Sequence, residues 1–409
     1  MLLRSRILLP VTAPPIEDGG VWVRDGRIAA SGMWADMVAL AADAEVVDLG
    51  EVILMPGLIN AHAHLEYTGL AGQFTGTKGF SQWIRSINSA KQKVSPDVAT
   101  EQWLTGAAML VHSGATTVAD IQTLAGAQSA NPKLTPLRVI PLIEMTGVIR
   151  RRVPAELLQE AEQLLGTGPM GGGFSPHSPY ATLPGLLELC AQRARETGRI
   201  NAIHVAESAE EFEMFVHRRG PLYELIAGLG RPMKDCDGRT PLQHIARYGL
   251  LQQQTLVVHA NYLTDADMSL LADSGASVVH CPGSHEFFGH QPFRYAELRQ
   301  RGVNICLGTD SLATMNGEGD RPPELNMLAE LRRFRLKHPE VVARDILAMA
   351  TVNGARALGL EHELGSLNPG VRADVIALPY KGSIKQAEAA IFSTEARVEA
   401  SFIGGRRVK

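Results

Sequence analysis

The sequence predicts an α/β protein, a (β/α)8 TIM barrel with a small β-sandwich built from both termini. Three observations support this fold class. Short apolar runs alternate with helical stretches between about residues 56 and 355, eight of the runs resemble strands, and both ends of the chain resemble short strands with Gly and Pro turns. The predicted units are therefore residues 1–55 and 356–409, which form the sandwich, and residues 56–355, which form the barrel.

Composition sets the broad limits. A chain of 409 residues, 45% hydrophobic and 20% charged, has room for one barrel of about 250 residues and a smaller unit. The formal charge of −4 leaves no basic surplus for nucleic acid, which is not expected as a partner. No apolar run is long enough for a membrane helix, and Arg4, Arg6 and Pro10 interrupt the opening segment, so we expect a cytoplasmic protein with no membrane contact.

Neither disulfide bonds nor a cysteine-bound zinc ion is expected. The four cysteines are scattered without a CxxC pair, which argues against a disulfide framework and against a thiolate zinc site.

At the N-terminus, Asp25-Gly26 separates two runs in which apolar and polar residues alternate, and this pattern predicts a β-hairpin.

Eight candidate strands follow in the middle of the chain. They cover residues 57–64, 115–120, 137–144, 173–178, 200–207, 255–260, 276–281 and 303–310. Eight parallel strands are the number that closes this type of barrel.

Polar residues recur at the C-terminal ends of these strands. They are His62 and His64, Asp120, Glu144, His177, His204 with Glu207, His259, His280 and Asp310. The C-terminal rim of a (β/α)8 barrel is where active sites are assembled, so these side chains are predicted to face one mouth.

The residue types indicate a metal site. His62 and His64 are two positions apart at a strand end, so both imidazoles can reach one cation, and His204 can join them. Asp310 ends an apolar strand, where a buried carboxylate needs a partner, and we interpret it as a ligand and proton acceptor. Glu207 is predicted to face the substrate, the alternative being a solvated residue at a helix start.

Other residues leave two interpretations open. His259 and His280 are either site residues or core histidines, and Asp120 and Glu144 are expected to orient the ligands. The run from Arg150 to Arg152 either grips an anionic group or forms a solvated face. The segment HEFFGH, residues 285–290, has its histidines five apart instead of four, which does not fit a zinc-protease helix, and its aromatic residues are expected to line a pocket.

The motifs themselves resemble a known family. PGLINAHAHLEYTGL, SPHSPY, HVAES, HANYL and LGTDSLA are similar to segments of the amidohydrolase superfamily, in its branch of nucleobase and nucleoside deaminases. Cytosine deaminase, S-adenosylhomocysteine deaminase and aminodeoxyfutalosine deaminase-like proteins belong to that branch. The resemblance spans nearly the whole chain and implies a metal-dependent barrel flanked by a β-sandwich.

The resemblance also implies a role for each site residue. One divalent ion, with zinc expected and iron or manganese as alternatives, is held by His62, His64, His204 and Asp310. Glu207 is implied as the proton shuttle and His259 as a contact of the attacking water or the substrate. His177 and His280 are expected to bind substrate. No lysine lies near the end of strand four to bridge a second metal, which favours one ion.

The implied reaction is hydrolytic deamination of an amino-substituted heterocycle, a purine nucleoside or nucleobase, with release of ammonia. A triazine chlorohydrolase, a cyclic-amide hydrolase and a metal-free scaffold are the alternatives, and a homo-oligomer is a family-level expectation.

Two segments depart from the sequence pattern of this family. HCPGSHEFFGH replaces the usual HNPxSN, and WIRSINSAKQKVSP, residues 83–96, lacks the acidic residue that S-adenosylhomocysteine deaminases use for ribose hydroxyls.

Overall fold

The computed structural model describes residues 1–74, 79–130, 132–148, 152–167, 169–317 and 322–409, so Arg150 and Arg151 lie outside the described residues. The strands are β1 (Leu2–Leu8), β2 (Ile16–Arg24), β3 (Arg27–Met33), β4 (Val46–Asp48), β5 (Val52–Pro56), β6 (Leu58–Ala63), β7 (Ala115–Thr123), β8 (Arg138–Met145), β9 (Gly173–Pro176), β10 (Asn201–Val205), β11 (Thr255–His259), β12 (Ser277–His280), β13 (Asn304–Leu307), β14 (Val375–Pro379), β15 (Ala400–Ile403) and β16 (Arg406–Arg407).

The helices alternate with the strands of the middle segment. They are α1 (Trp34–Leu40), α2 (Phe80–Lys91), α3 (Pro96–His112), α4 (Leu124–Ser129), α5 (Pro154–Leu164), α6 (Pro184–Thr197), α7 (Ala209–Phe212), α8 (Pro221–Gly228), α9 (Pro241–Arg247), α10 (Asp265–Ser274), α11 (Pro282–Phe288), α12 (Tyr295–Gln300), α13 (Met327–Lys337), α14 (Ala343–Met349), α15 (Val352–Ala357) and α16 (Ala387–Ala390). Within the described ranges, none of them combines the length and the apolar character needed to cross a bilayer.

Strands β6 to β13 form a parallel sheet in chain order, and each corresponds to a strand predicted from the sequence. The sheet curls until its first and last strands meet. A parallel bridge pairs Ala63 with Asp310, and the Asp310 N–H donates to the His62 carbonyl at 3.1 Å. The predicted (β/α)8 barrel is confirmed.

Both termini contribute to one mixed sheet of eight strands in the order β16-β15-β14-β5-β1-β2-β3, with β4 beside β1. The antiparallel pairing of β5 with β14 joins the two ends of the chain, as predicted. Asp25 and Gly26 connect β2 to β3 with φ angles of 51° and 75°. Two successive left-handed residues give a type I′ turn, the connection that matches strand twist, so the hairpin is confirmed.

Side chains of the barrel strands alternate between two apolar clusters. One cluster fills the barrel interior and includes Ala202, Leu256, Val258, Val279 and Cys281. The other packs the outside of the strands against the surrounding helices and includes Ile203, Val257, Val278 and Leu271. This period of two determines which polar residues at the strand ends can reach the mouth of the barrel.

Candidate active site

Four predicted metal ligands converge at the C-terminal end of the barrel. His62, His64 and His204 place one ring nitrogen each within 4.8 Å of the others, and Nε2 of His64 lies 3.2 Å from Nε2 of His204. The Asp310 Oδ1 atom lies 3.5 Å from His62 Nε2 and 3.8 Å from His64 Nε2. All four side chains are buried. The structure therefore brings together the whole predicted ligand set.

The donor atoms of this cluster fit a cation. Nδ1 of His204 pairs with the His177 carbonyl at 2.8 Å and so carries the proton, which leaves a lone pair on Nε2 facing His64. Neither ring nitrogen of His62 has a hydrogen-bond partner in the described part of the chain, although the ring is fully buried. Burial lowers the pKa of His64 and of His204 well below the usual value, which keeps both imidazoles neutral as metal ligation requires.

Asp310 reaches the cluster because the last barrel strand packs tightly on the first. A Cβ atom added to Gly308 would lie 2.8 Å from the His62 carbonyl oxygen, so only glycine allows this approach. The Asn60 side chain joins the two strands, since its Oδ1 accepts from the Thr309 N–H at 3.1 Å and its Nδ2 donates to Thr309 Oγ1 at 2.8 Å. Sequence reasoning missed Asn60, although a polar residue two positions before His62 in an apolar strand was a visible signal.

The acidity of Asp310 follows from its neighbours. Burial alone would raise its pKa, but interaction with His62, His259 and His64 holds the pKa well below the usual range. Its second oxygen, Oδ2, accepts a hydrogen bond from Thr314 Oγ1 at 3.1 Å. Asp310 is therefore an anion that can hold a cation.

Unusual backbone conformations occur where the strands enter the site. Ala206, His259, Ala260 and Asp310 all have positive φ, between 50° and 75°. Val258 points into the barrel, so regular alternation would turn His259 outward, yet its side chain lines the central pocket. Left-handed backbone at non-glycine residues costs roughly 1–3 kcal/mol each and is concentrated at functional sites. At His259 it turns the side chain into the mouth of the barrel.

Glu207 lies beside the cluster of predicted metal ligands and is buried. Its side chain is only 6% exposed, and its Oε1 lies 3.6 Å from His259 Nε2. Burial, and then repulsion by Asp310 and Glu211, raises the pKa of Glu207 well above the usual value. The backbone is clamped on both sides, because the Glu207 N–H donates to Glu211 Oε2 at 2.8 Å and the Glu207 carbonyl accepts from Asn261 at 3.0 Å. A protonated Glu207 can donate to a bound molecule.

The cluster forms the floor of a largely apolar pocket. His177 and Glu144 face into it, with His177 Nε2 3.9 Å from Glu144 Oε2, and burial lowers the pKa of His177 to about 3. Most of the remaining wall comes from outside the strand ends, and sequence reasoning missed these residues: Tyr67, Trp83, Ile84, Ile87, Asn88, Lys91, Thr146, Val148, Tyr180, Ala181, Ile226, Leu229 and Ser311. A flat heterocycle with polar edges fits such a lining.

Comparison with known proteins identifies the family. The model of the amidohydrolase family matches residues 53–408. The chain belongs to the amidohydrolase family. Its curated relatives include the 5-methylthioadenosine/S-adenosylhomocysteine deaminase of Symbiobacterium thermophilum, which is 30% identical over 389 residues, covering 92% of this chain and 85% of the relative. The family is metal-dependent, in agreement with the histidine cluster.

Solved structures share the fold of this amidohydrolase. An aminofutalosine deaminase from Helicobacter pylori, in complex with methylthio-coformycin, superposes with a TM-score of 0.87 at 20% identity and covers 100% of both chains. An adenosine deaminase from Xanthomonas campestris with bound zinc gives a TM-score of 0.82 at 24% identity, covering 99% of this chain and 92% of that chain.

Asp120 supports the amidohydrolase site from outside the barrel. Its Oδ1 accepts from the Leu65 N–H at 2.9 Å, directly after His64, and its Oδ2 accepts from Trp103 Nε1 at 2.7 Å and from Gln122 Nε2 at 2.8 Å. Burial raises the pKa of Asp120 to about 7, and the three N–H donors oppose that rise. The contact with Leu65 agrees with the prediction that Asp120 orients a ligand.

His280 lies elsewhere, contrary to the prediction that it binds substrate. Val279 and Cys281 point into the barrel, so His280 points out of it. Its ring stacks on Phe293 with centroids 4.0 Å apart, in a second cavity that His285 also lines. A strand-end position placed His280 on the rim, but alternation turned it away from the pocket.

Two further segments had two interpretations each, the HEFFGH segment and the arginine run. In the HEFFGH segment, Phe288 does not line the central pocket, but the centroid of its ring lies 5.2 Å from that of Trp83, which does. His290 lines the second cavity. Arg152 forms an ion pair with Glu160, which favours the surface interpretation for this one member of the arginine run.

Proposed function

We propose that this amidohydrolase is a metal-dependent aminohydrolase that removes the amino group of a heterocycle, a purine nucleoside or nucleobase, and releases ammonia. The observation that carries the proposal is a buried carboxyl, Glu207, with a raised pKa beside three converging imidazoles and Asp310, at the floor of an apolar pocket. The names of the curated relatives, which are deaminases of purine nucleosides, support it.

The metal would be held by His62, His64, His204 and Asp310. Three imidazole nitrogens and one carboxylate suit zinc, which we propose as the ion in preference to iron or manganese. When bound, a divalent cation acidifies water and so supplies a nucleophile near neutral pH.

The protein residues would direct the protons of the reaction. Glu207 donates its proton to the ring nitrogen next to the amino-bearing carbon while water attacks that carbon. Asp310 accepts a proton from the attacking water, His259 stabilises the charge that develops on the new oxygen, and His177 contacts the ring. The C–O bond forms, and the proton held by Asp310 passes to the amino group, which leaves as ammonia when the C–N bond breaks. The remaining hydroxyl proton returns to Glu207, so the product carries a carbonyl and both carboxyl groups are restored.

The direct test is ammonia release from a panel of aminated purines, pyrimidines and nucleosides, with chlorinated triazines and cyclic amides in parallel. Protein expressed with zinc, iron or manganese is assayed with its metal content determined. We expect ammonia from an adenine-type compound and about one ion per chain. Chloride release or ring opening without ammonia would instead establish one of the alternative hydrolases. Failure to retain any metal, together with no turnover, would support a non-catalytic scaffold.

We also propose a division of the chain into units and a location in the cell. We propose a barrel unit of residues 56–355 and a sandwich unit of residues 1–55 and 356–409, because β5 and β14 join the ends of the chain. Cys190, Cys236, Cys281 and Cys306 are buried and free, which fits a reducing, cytoplasmic location.

A further inference from the structure

One wall of the pocket carries a positive charge. Helix α2 presents Trp83, Ile87 and Lys91 to the pocket, at intervals of four residues and therefore on one helix face. Within the described part of the chain, Lys91 is the only lysine or arginine that lines this pocket. Its role is not explained by the deamination chemistry, which uses groups at the strand ends.

Lys91 is close to the floor of the site but separated from it by a ring. Its Nζ lies 4.4 Å from the centroid of the Tyr67 ring, and that ring stacks on His64 with centroids 5.2 Å apart. Lys91 is half-buried and also lines a neighbouring cavity with Val94 and Pro96. The ammonium group therefore sits at the margin of the pocket, where the part of a substrate remote from the reacting carbon would lie.

The ammonium has no close counter-ion among the described residues. No carboxylate of the described ranges forms an ion pair with Lys91 within 4.0 Å. Burial raises the pKa of Glu66, and attraction to Lys91 opposes that rise without cancelling it. The Glu66 carboxylate also has a partner of its own, since its Oε2 accepts from Thr123 Oγ1 at 3.0 Å. The stretch from Trp83 to Lys91 contributes no acidic residue of its own.

We propose that Lys91 binds an anionic group, a carboxylate or a phosphate, carried by the substrate at the end remote from its amino group. This inference rests on the proposed function, because it assigns the substrate class of the same site. A half-buried ammonium without a close counter-ion, at the edge of an apolar pocket, gains a charge-assisted hydrogen bond when such a group binds. The substrate would therefore be an acidic adenine-type compound in preference to a neutral one.

The test uses substrates that differ only in charge. Adenosine 5′-carboxylic acid and its carboxamide form the matched pair, and adenosine 5′-monophosphate separates phosphate from carboxylate recognition. We expect kcat/KM for the acid to exceed that for the amide by ~10-fold, the factor that a charge-assisted bond of about 1.5 kcal/mol supplies. In Lys91→Gln the acid-to-amide ratio should fall to about one, and Lys91→Arg should restore most of it.

Lys93 provides the matched control, because it is an exposed lysine two positions further on that does not line the pocket. Lys93→Gln should keep the wild-type ratio. An acid-to-amide ratio near one in the wild-type enzyme, or an equal fall in the Lys91 and Lys93 variants, would overturn the assignment.

Binding measurements separate this inference from the proposed function. The two compounds are titrated calorimetrically into metal-loaded Glu207→Gln protein, with and without Lys91→Gln. Tighter binding of the acid that depends on Lys91 supports the anion subsite even if no ammonia is released by wild-type protein, a result that would reject only the deaminase proposal. Equal binding of acid and amide, or binding of neither, rejects the subsite.

Discussion

Two clusters of histidines lie near the C-terminal rim of the barrel, and they differ in what their ring nitrogens meet. In the first cluster, His62, His64 and His204 point nitrogens at one another and at Asp310. In the second cluster, His280, His285, His290 and His338 gather around Phe293 and Phe334. The number of histidines at the rim therefore does not distinguish a metal site from a packed aromatic cluster.

Three of the four histidines in the second cluster have a hydrogen-bond partner within the protein, whereas the buried Nδ1 of His280 has none among the described residues. His285 Nε2 lies 2.9 Å from the Gln291 carbonyl, and His290 Nδ1 lies 3.2 Å from the Tyr262 hydroxyl. Such rings contribute packing and hydrogen bonds, whereas a buried nitrogen without a protein partner has lost hydration that water, a cation or a ligand replaces. Convergence of unpartnered nitrogens on a carboxylate identifies the site.

The largest difference between the clusters is expected for metal content. His62→Asn should reduce bound metal from about one ion per chain to a small fraction and lower deaminase activity by at least ~10⁴-fold, because several kcal/mol of transition-state stabilisation depend on the ion. Elemental analysis of purified protein and an ammonia assay measure both effects. His285→Asn, in the second cluster, should keep its metal. Equal metal loss in the two variants would remove the distinction.

The next largest effect concerns chemistry without metal loss. Glu207→Gln preserves shape but cannot donate the same proton, so kcat should fall by ~10²–10³-fold while the metal content stays that of the wild-type protein. Glu213→Gln is the control, since that exposed carboxylate pairs with Arg219 outside the pocket. A Glu207→Gln protein with full activity and its metal would refute the proton-shuttle role.

A smaller effect is expected where the first cluster is held from outside. Asp120→Asn weakens the contacts with Leu65, Trp103 and Gln122, and such supporting groups typically change metal affinity by ~10–100-fold. Competition with a chelator measures that affinity. Asp267→Asn is a matched control, because this buried carboxylate accepts from Thr264 at a helix start. If both variants keep the wild-type affinity, Asp120 does not position the ligands.

The same comparison shows how far the sequence could predict the site. His204, Glu207 and Asp310 were predictable because strands in chain order around a barrel bring their C-terminal ends to one mouth. His280 shares that position but lies on the outer face of β12, because its backbone keeps the regular alternation with Val279, whereas the positive φ of His259 turns that side chain inward.

The wall of the pocket was not predictable in this way. Helix α2 is anchored by the Glu210 carboxylate, which accepts from the Phe80 N–H at 2.8 Å and the Ser81 N–H at 3.1 Å. This contact joins residues about 130 positions apart, and no local pattern of α2 specifies it. Lys91 and Trp83 therefore gained a role only when tertiary packing fixed the orientation of their helix.

The smallest expected effect distinguishes the clusters by their response to acid. Burial, reinforced by His285 and His259, lowers the pKa of His290 to about 3, whereas a histidine of the unfolded chain titrates near 6.5. Between these values the unfolded chain binds a proton that the folded protein excludes. The contribution of His290 to the free energy of unfolding is therefore fully present above pH ~6.5 and is lost progressively as the pH falls toward 3.

His290→Gln should consequently flatten the decline of stability between pH 6.5 and 5, by ~1 kcal/mol per pH unit. Loss of the contact with Tyr262 should lower stability at pH 7 by about 0.5–1 kcal/mol, so the curves of variant and wild type converge on acidification. Urea unfolding at a series of pH values measures the stability of both proteins. Metal is kept saturating, so that metal release from the first cluster affects both proteins alike. If the stability curves of variant and wild type run parallel with pH, His290 binds its proton equally in the folded and the unfolded chain. The ring of His290 would then not be held neutral by burial in the second cluster.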